Sequence, residues 1–198
     1  MNKKNKILLA SSNKGKLAEF ATIFADYEML SQDNFDIDDA IEDGKTFFEN
    51  ALIKARNAVS KSNIFSIADD SGLVIPLFNS EPGIYSARYS GENASDLDNR
   101  NKVINNLKEM NLKEAPAFFV CVLVGVNSED DPMPMMSSGV IHGTVSVKSS
   151  GDGGFGYDKI FYPSGYDVSM ASLDQDSKNK ISHRGIAAKS LLNILKQY

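Results

Sequence analysis

Cysteine is nearly absent: Cys121 stands alone, so no intramolecular disulfide can brace the fold, which suits a reducing compartment. It sits within the apolar run 118–124, where a buried thiol acting as a small hydrophobe is the ordinary expectation. Long hydrophobic stretches are missing too, and none approaches the ~20 residues that a spanning helix requires. Residues 1–6 are basic like a signal n-region, but only Ile7-Leu8-Leu9-Ala10 follows before polar residues resume. That is too short for a signal h-region. Nor is there an excess of positive charge. The formal net charge of −5 argues against general affinity for duplex nucleic acid, which rests on basic side chains neutralising phosphates, and leaves room only for a local basic pocket. Zinc-type Cys/His spacing, a Walker A loop, a Rossmann glycine fingerprint and internal repeats are all lacking. Neither His142 nor His183 has a neighbouring serine or cysteine motif for acyl transfer. The expectation is a soluble, cytoplasmic protein without membrane or nucleic-acid partners.

What remains is ordinary globular material. With 198 residues, 42% hydrophobic and 24% charged, the chain can bury a sizeable core as a single domain, 1–198, or as two closely joined lobes sharing a sheet. Ile7–Ala10 reads as a first strand, and the loop Ser11-Ser12-Asn13-Lys14-Gly15-Lys16 leads into a helix whose Leu17, Phe20, Ala21 and Phe24 pack while Lys16 and Glu19 stay solvated. A strand near Met29 follows, then an acidic connection over residues 31–43. Thr46-Phe47-Phe48-Glu49 resembles a capping box opening a long helix to about Lys61. Ser95 to Asp98 caps a third helix with Val103, Ile104, Leu107 and Met110 on its packed face. Residues 117–126 form a central strand, residues 138–148 an antiparallel partner, and the last helix packs through Leu191, Leu192 and Leu195. Strands alternating with helices, joined by antiparallel pairing in the second half, define an α/β protein with a mixed, twisted sheet flanked by helices.

Four stretches carry candidate chemistry. Ala68-Asp69-Asp70-Ser71-Gly72-Leu73 follows an apolar strand and reads as a turn, either a plain Asx turn or a strand-end site for one of its carboxylates. The loop 11–16 is either a capped strand-to-helix connection or an anion site formed by amides, helix N-terminus, Lys14 and Lys16. Residues 151–158, Gly-Asp-Gly-Gly-Phe-Gly-Tyr-Asp, hold four glycines and two aromatics, which suits a tight turn or a platform for a base. Lys178 to Gly185 precedes the last helix and places His183 and Arg184 in its first turn. There a helix dipole disfavours cations unless something negative is near; the alternative is an exposed basic turn. Pro76-Leu77-Phe78 continues the strand before it as an edge, and Arg88 either pairs internally or faces a ligand, the internal pair being the simpler reading. Carboxylates, lysines and an aromatic turn together suit phosphoanhydride hydrolysis: carboxylates hold Mg2+ or activate water, and lysines offset charge on the departing phosphate.

Six motifs run in order along the chain: Ser11-x-Asn13-x-x-Lys16, Thr46-x-x-Glu49-Asn50-Ala51, Ala68–Leu73, Pro82-Gly83-Ile84-Tyr85-Ser86-Ala87-Arg88, Gly153–Asp158 and Ser182-His183-Arg184-Gly185. Together they strongly resemble the inosine triphosphate pyrophosphatase (ITPase-like, Ham1-like) family. The resemblance implies a two-lobed α/β fold with a nucleotide cleft between the lobes, a homodimer, and Mg2+-dependent hydrolysis of ITP, dITP and XTP to monophosphate and pyrophosphate by attack of water at the α-phosphorus. By position it implies Ser11, Ser12, Asn13, Lys14, Gly15 and Lys16 at the triphosphate, Asp70 as general base and metal-linked carboxylate, Asp69 as its support, and Ser71 at the nucleotide. Phe155 would stack on the purine, with Gly156, Tyr157 and Asp158 shaping its pocket, and Lys178, His183 and Arg184 would read the base edge. Two departures stand out. In Ile41-Glu42-Asp43-Gly44 the metal ligand is either Glu42 or the neighbouring acidic residue, with Glu42 the assignment, and Lys159 replaces a proline common after the aromatic turn. Rival expectations are a same-fold pyrophosphatase with a shifted NTP substrate and a nucleotide-binding sensor without turnover.

Overall fold

The computed structural model describes residues 5–197; the basic start, Met1–Lys4, lies outside them. Six strands are hydrogen-bonded in the order β2-β1-β3-β4-β5-β6: β1 is Lys6–Leu9, β2 Glu28–Ser31, β3 Ser66–Val74, β4 Glu114–Val126, β5 Met135–Ser146 and β6 Phe161–Pro163. The helices are α1, Lys14–Ile23; α2, Phe47–Ser62; α3, Asp96–Glu109; α4, Gln175–Ile181; and α5, His183–Leu195. β1 runs parallel to β2 and β3, whereas β5 and β6 are antiparallel. The sheet is therefore mixed, as the pattern of elements led one to expect.

The chain divides into two compact units. One holds the residues up to Asp70, Cys121–Gly139 and those from Arg184; the other holds Ser71–Val120 and Val140–His183. In the first, the two-residue period of strands sorts the core into layers. Ile7, Leu9, Ile67, Cys121 and Leu123 pack with Phe20 and Phe24 of α1 and Ala187, Ala188 and Leu191 of α5. Their neighbours Leu8, Ala10, Ala68, Val124 and Val126 pack with Ala51, Ala55, Ala58 and Val59 of α2. A parallel sheet needs cover on both faces, and the helices provide it. In the second unit Leu73, Ile75, Val103, Leu107, Phe119, Val145, Ile160 and Phe161 share one core.

Several elements differ from the sequence expectation. Residues 68–73 do not turn: β3 runs unbroken through Asp69, Asp70, Ser71 and Gly72, with only Ser71 short of full burial. Pro76–Phe78 forms a single 3-10 turn with Pro at its start, not a strand edge; proline's fixed φ and missing N–H favour that geometry. Helix α1 begins at Lys14, capped by the Asn13 side chain, so Lys14, Gly15 and Lys16 are its first turn and not loop. Lys178 likewise sits in α4. Met110 is the C-cap of α3 and is 49% exposed, off the packed face.

At Gly143 the two antiparallel strands approach so closely that a Cβ would overlap the Tyr162 carbonyl and stand 2.8 Å from the Phe161 ring. Gly143→Ala is expected to destabilise the protein by about 1–3 kcal/mol, the usual cost of overpacking, read as a lower urea midpoint; an unchanged midpoint would contradict this packing.

Candidate functional site

The adjacent aspartates of β3 belong to different layers, because alternation fixes Asp69 on the side of Ile67 and Asp70 on the side of Ala68. Asp69, 1% exposed, accepts from Lys16 Nζ of α1 at 2.9 Å and lies 3.7 Å from Arg184 Nε at the start of α5. Arg184 also donates to Glu19 of α1 at 2.8 Å. Asp70 meets the other helix, accepting from Lys54 Nζ at 3.2 Å and from Asn50 Nδ2 at 3.4 Å. Lys54 reaches Glu42 Oε1 as well, at 3.0 Å. Asn50 and Lys54 are one turn apart on α2 and so share a face. The start of that helix is held by Thr46, whose hydroxyl accepts from the Glu49 N–H, while the Glu49 carboxylate accepts from the Lys45 N–H and the Thr46 hydroxyl.

These surroundings separate the two carboxyls electrostatically. Burial alone would raise the Asp69 pKa, but Lys16, Arg184 and Lys54 outweigh it and hold the carboxyl well below the usual range. Burial also pushes Asp70 up, and although Lys54 opposes this, Glu42 and Asp69 add to it, so the net direction is upward. For Lys54 the burial penalty is exceeded by attraction to Asp70, Asp69 and Glu42, which keeps it an ammonium. The two carboxyls are thus pushed apart: Asp69 is held as a fixed charge, and Asp70 is the more readily protonated of the two.

Beside them lies a cavity of ≈ 240 Å³ lined by Ser11, Ser12, Asn13, Lys16, Glu42 and Lys54, among others. Asn13 Oδ1 accepts the Lys16 N–H at 3.0 Å and Ser11 Oγ the Asn13 N–H at 3.2 Å, so the capping reading of this stretch holds, while Lys16, and not Lys14, lines the cavity. Of the acidic residues before Gly44, Glu42 joins Lys54; Asp43 is exposed. Two carboxylates converging on one cation suit a hard divalent ion, which oxygen ligands hold. Among the described residues no group of three or more His, Cys, Asp or Glu gathers as a complete cage.

The second unit carries the remaining candidates. The Phe155 ring is 46% exposed, at the tip of a turn closed by Asp158, whose carboxylate accepts the Phe155 N–H at 3.1 Å and Lys178 Nζ at 2.8 Å. Gly154 is required there: its φ is +71° and a Cβ would overlap that carboxylate. Lys178 Nζ stands 4.8 Å from the Phe155 ring centroid. Gly156 is tied to α3 through an N–H donated to Asp96 and a carbonyl accepting from Arg100, both 2.7 Å. Tyr157 is a core residue whose hydroxyl donates to the Ser86 carbonyl at 2.8 Å. His183 stacks on Phe119 with centroids 4.9 Å apart. Ser71 follows Asp70 on β3 and is partly buried, and Arg88 pairs with Glu92 at 3.7 Å. Lys178, His183 and Arg184 are all buried, so they are not an exposed basic turn; for Arg184 the negative partners that the helix dipole demands are Glu19 and Asp69. Lys54, Asn50 and Glu19 escaped the sequence reading. The signal for the first two was a polar i, i+4 pair beside the alanine stripe of α2.

The fold and the first unit's paired carboxylate–lysine clusters define an α/β protein equipped to hold a phosphorylated ligand together with a cation. The chain belongs to the Ham1 family, whose model matches residues 7–194. It is 43% identical over 189 residues to a dITP/XTP pyrophosphatase of Legionella pneumophila (strain Paris), covering 96% of this chain and 97% of that protein. Among solved structures it is similar to a HAM1 protein from Coxiella burnetii, with a TM-score of 0.92, 40% identity and coverage of 98% and 100%. The Staphylococcus aureus Ham1 protein matches with a TM-score of 0.86, 40% identity and coverage of 98% and 99%.

Because the Asp69 carboxyl titrates below its value in an unfolded chain, about 3.9, its ionised form stabilises the fold at every pH above that value, and the contribution drains away as pH falls further. Asp69→Asn is expected to cost about 3–5 kcal/mol at pH 7, as removal of one buried partner does, with the gap to wild type narrowing below about pH 4. Urea denaturation across pH reads both; a pH-independent gap would overturn the electrostatic account.

Proposed function

We propose that this chain hydrolyses purine nucleoside triphosphates outside the standard set, ITP, dITP and XTP, to the monophosphate and pyrophosphate. The observation that carries the reading is the Glu42–Lys54–Asp70 cluster beside the cavity at Lys16; the names and near-full-length similarity of the dITP/XTP pyrophosphatases support it. In this reading Ser11, Ser12, Asn13, Lys14, Gly15 and Lys16 receive the triphosphate. Glu42 and Asp70 hold Mg2+, which supplies electrophilic polarisation of the phosphates. Asp70 takes the proton of the attacking water as the new bond forms at the α-phosphorus and the bridging bond to the β-phosphorus breaks. Its raised proton affinity suits that task. Lys16 offsets the charge that builds on the leaving pyrophosphate.

The purine is taken by Phe155 through stacking, supported by Gly156, Tyr157 and Asp158, with Ser71 at the nucleotide. Lys178, His183 and Arg184 select the base: a 6-oxo purine presents an acceptor where adenine presents an amino donor, so N–H donors there reject adenine. The reading includes a cytoplasmic homodimer with no nucleic-acid or membrane partner. A net charge of −5 supports the absence of a nucleic-acid partner.

Asp70→Asn is expected to keep ITP binding and lose turnover by about 10²–10⁴-fold, the usual contribution of general acid–base catalysis, measured as pyrophosphate release with Mg2+. Full activity in that variant would overturn the assignment. Across ITP, XTP, ATP, GTP and dUTP, the first two should be turned over fastest; equal rates on ATP and ITP would sink the specificity claim.

A further inference from the structure

Lys54 is given neither substrate nor metal in the assignments above, yet its ammonium is the group that both proposed metal ligands share, at 3.0 Å from Glu42 Oε1 and 3.2 Å from Asp70 Oδ1. Its side chain is only 15% exposed. One helical turn earlier, the fully buried Asn50 donates to the second oxygen of Asp70. Helix α2 thus sets a fixed cation where two carboxylates would otherwise repel each other.

We propose that Lys54 is an internal counter-ion, a positioning residue that holds Glu42 and Asp70 together before metal arrives and yields that place when metal and nucleotide bind. The inference rests on the reading of Glu42 and Asp70 as metal ligands. Mg2+ binds carboxylate oxygens at about 2.0–2.1 Å, so an ammonium seated ~3 Å from the same oxygens opposes its entry by like-charge repulsion. Lysine carries its charge on a flexible four-carbon stem, and Lys54 already lines the cavity that holds Lys16, Ser11 and Ser12. Displacement therefore moves a positive charge toward an incoming phosphate and frees the Asp70 carboxylate in the same motion. Metal and triphosphate binding are thereby coupled: each makes room for the other's charge, and neither alone satisfies both the carboxylates and the lysine.

The test is Mn2+ binding to the full chain without nucleotide, by electron paramagnetic resonance or calorimetry. Lys54→Met and Lys54→Gln are expected to bind Mn2+ about tenfold more tightly than wild type and to melt lower in chelator, with the loss recovered on adding Mn2+. Lys54→Arg, which keeps the charge, should stay near wild type, and Lys61→Met, which removes an exposed charge at the far end of the same helix, should not change affinity. Glu42→Gln and Asp70→Asn should lose binding. If these two bind Mn2+ like wild type, or if neither wild type nor the neutral Lys54 variants bind any, the metal reading and the counter-ion fall together. If they lose binding while both neutral Lys54 variants change by less than threefold or weaken, the counter-ion alone is overturned. Two neutral variants guard against one that misfolds.

Discussion

The alternation of side chains along a fully buried strand is the constraint from which the first unit's site follows. A two-residue period cannot place neighbouring residues on one face, so Asp69 and Asp70 are delivered to opposite layers of the sheet. Each then needs its own cation, because an ionised carboxylate buried without a partner costs far more than the strand can supply. Helices α1 and α5 answer on one side with Lys16 and Arg184, and α2 answers on the other with Lys54. Two small side chains, Ala68 on β3 and Ala55 on α2, pack in the α2 layer and let the polar pair sit beside an otherwise apolar contact.

The two clusters differ in charge. Around Asp69, two cations and two carboxylates balance once Glu19 is included. Around Asp70, one ammonium serves two carboxylates and leaves a negative excess. The first arrangement is self-contained and rigidifying; the second is short of positive charge. A free polyanion gains little from a negative cluster, whereas a triphosphate that arrives with a divalent cation fits it. The cluster around Asp70 therefore has room for one further positive charge, which the cluster around Asp69 does not.

Element order, the capped helices α2 and α3, the mixed sheet and the central strand β4 were legible from periodicity and capping residues, since those signals are local. The misreading at 68–73 is instructive in the opposite way. Asp, Asp, Ser and Gly are turn residues by propensity, and only partners distant in sequence, Lys16, Lys54 and Arg184, make them tolerable inside a strand; propensity cannot register a compensating charge 16, 53 or 115 positions away. The same blindness hid Lys54 and Glu19, which look like ordinary solvated positions on amphipathic helices. For Tyr157 and His183, family position and local chemistry pointed to a ligand, whereas the structure gives each a packing partner, Ser86 and Phe119. A residue can shape a pocket from behind without touching what the pocket holds.

The two aspartates also differ in what they touch. Asp69 is turned toward α1 and α5 and reaches Asp70 and Lys54 only through its charge. Its proton affinity is suppressed by two close cations and a third nearby, which together outweigh burial. What it can do is fix Lys16 and Arg184 relative to the sheet, so that neither side chain must be ordered when a ligand arrives, and rotamer-rich lysine and arginine are where that saving is largest. Burial raises the proton affinity of Asp70, and Glu42 and Asp69 add to it against the opposing Lys54 ammonium. In the proposed reading chemistry falls to Asp70 and preorganisation to Asp69, and the different surroundings that separate them follow from their being consecutive on one strand.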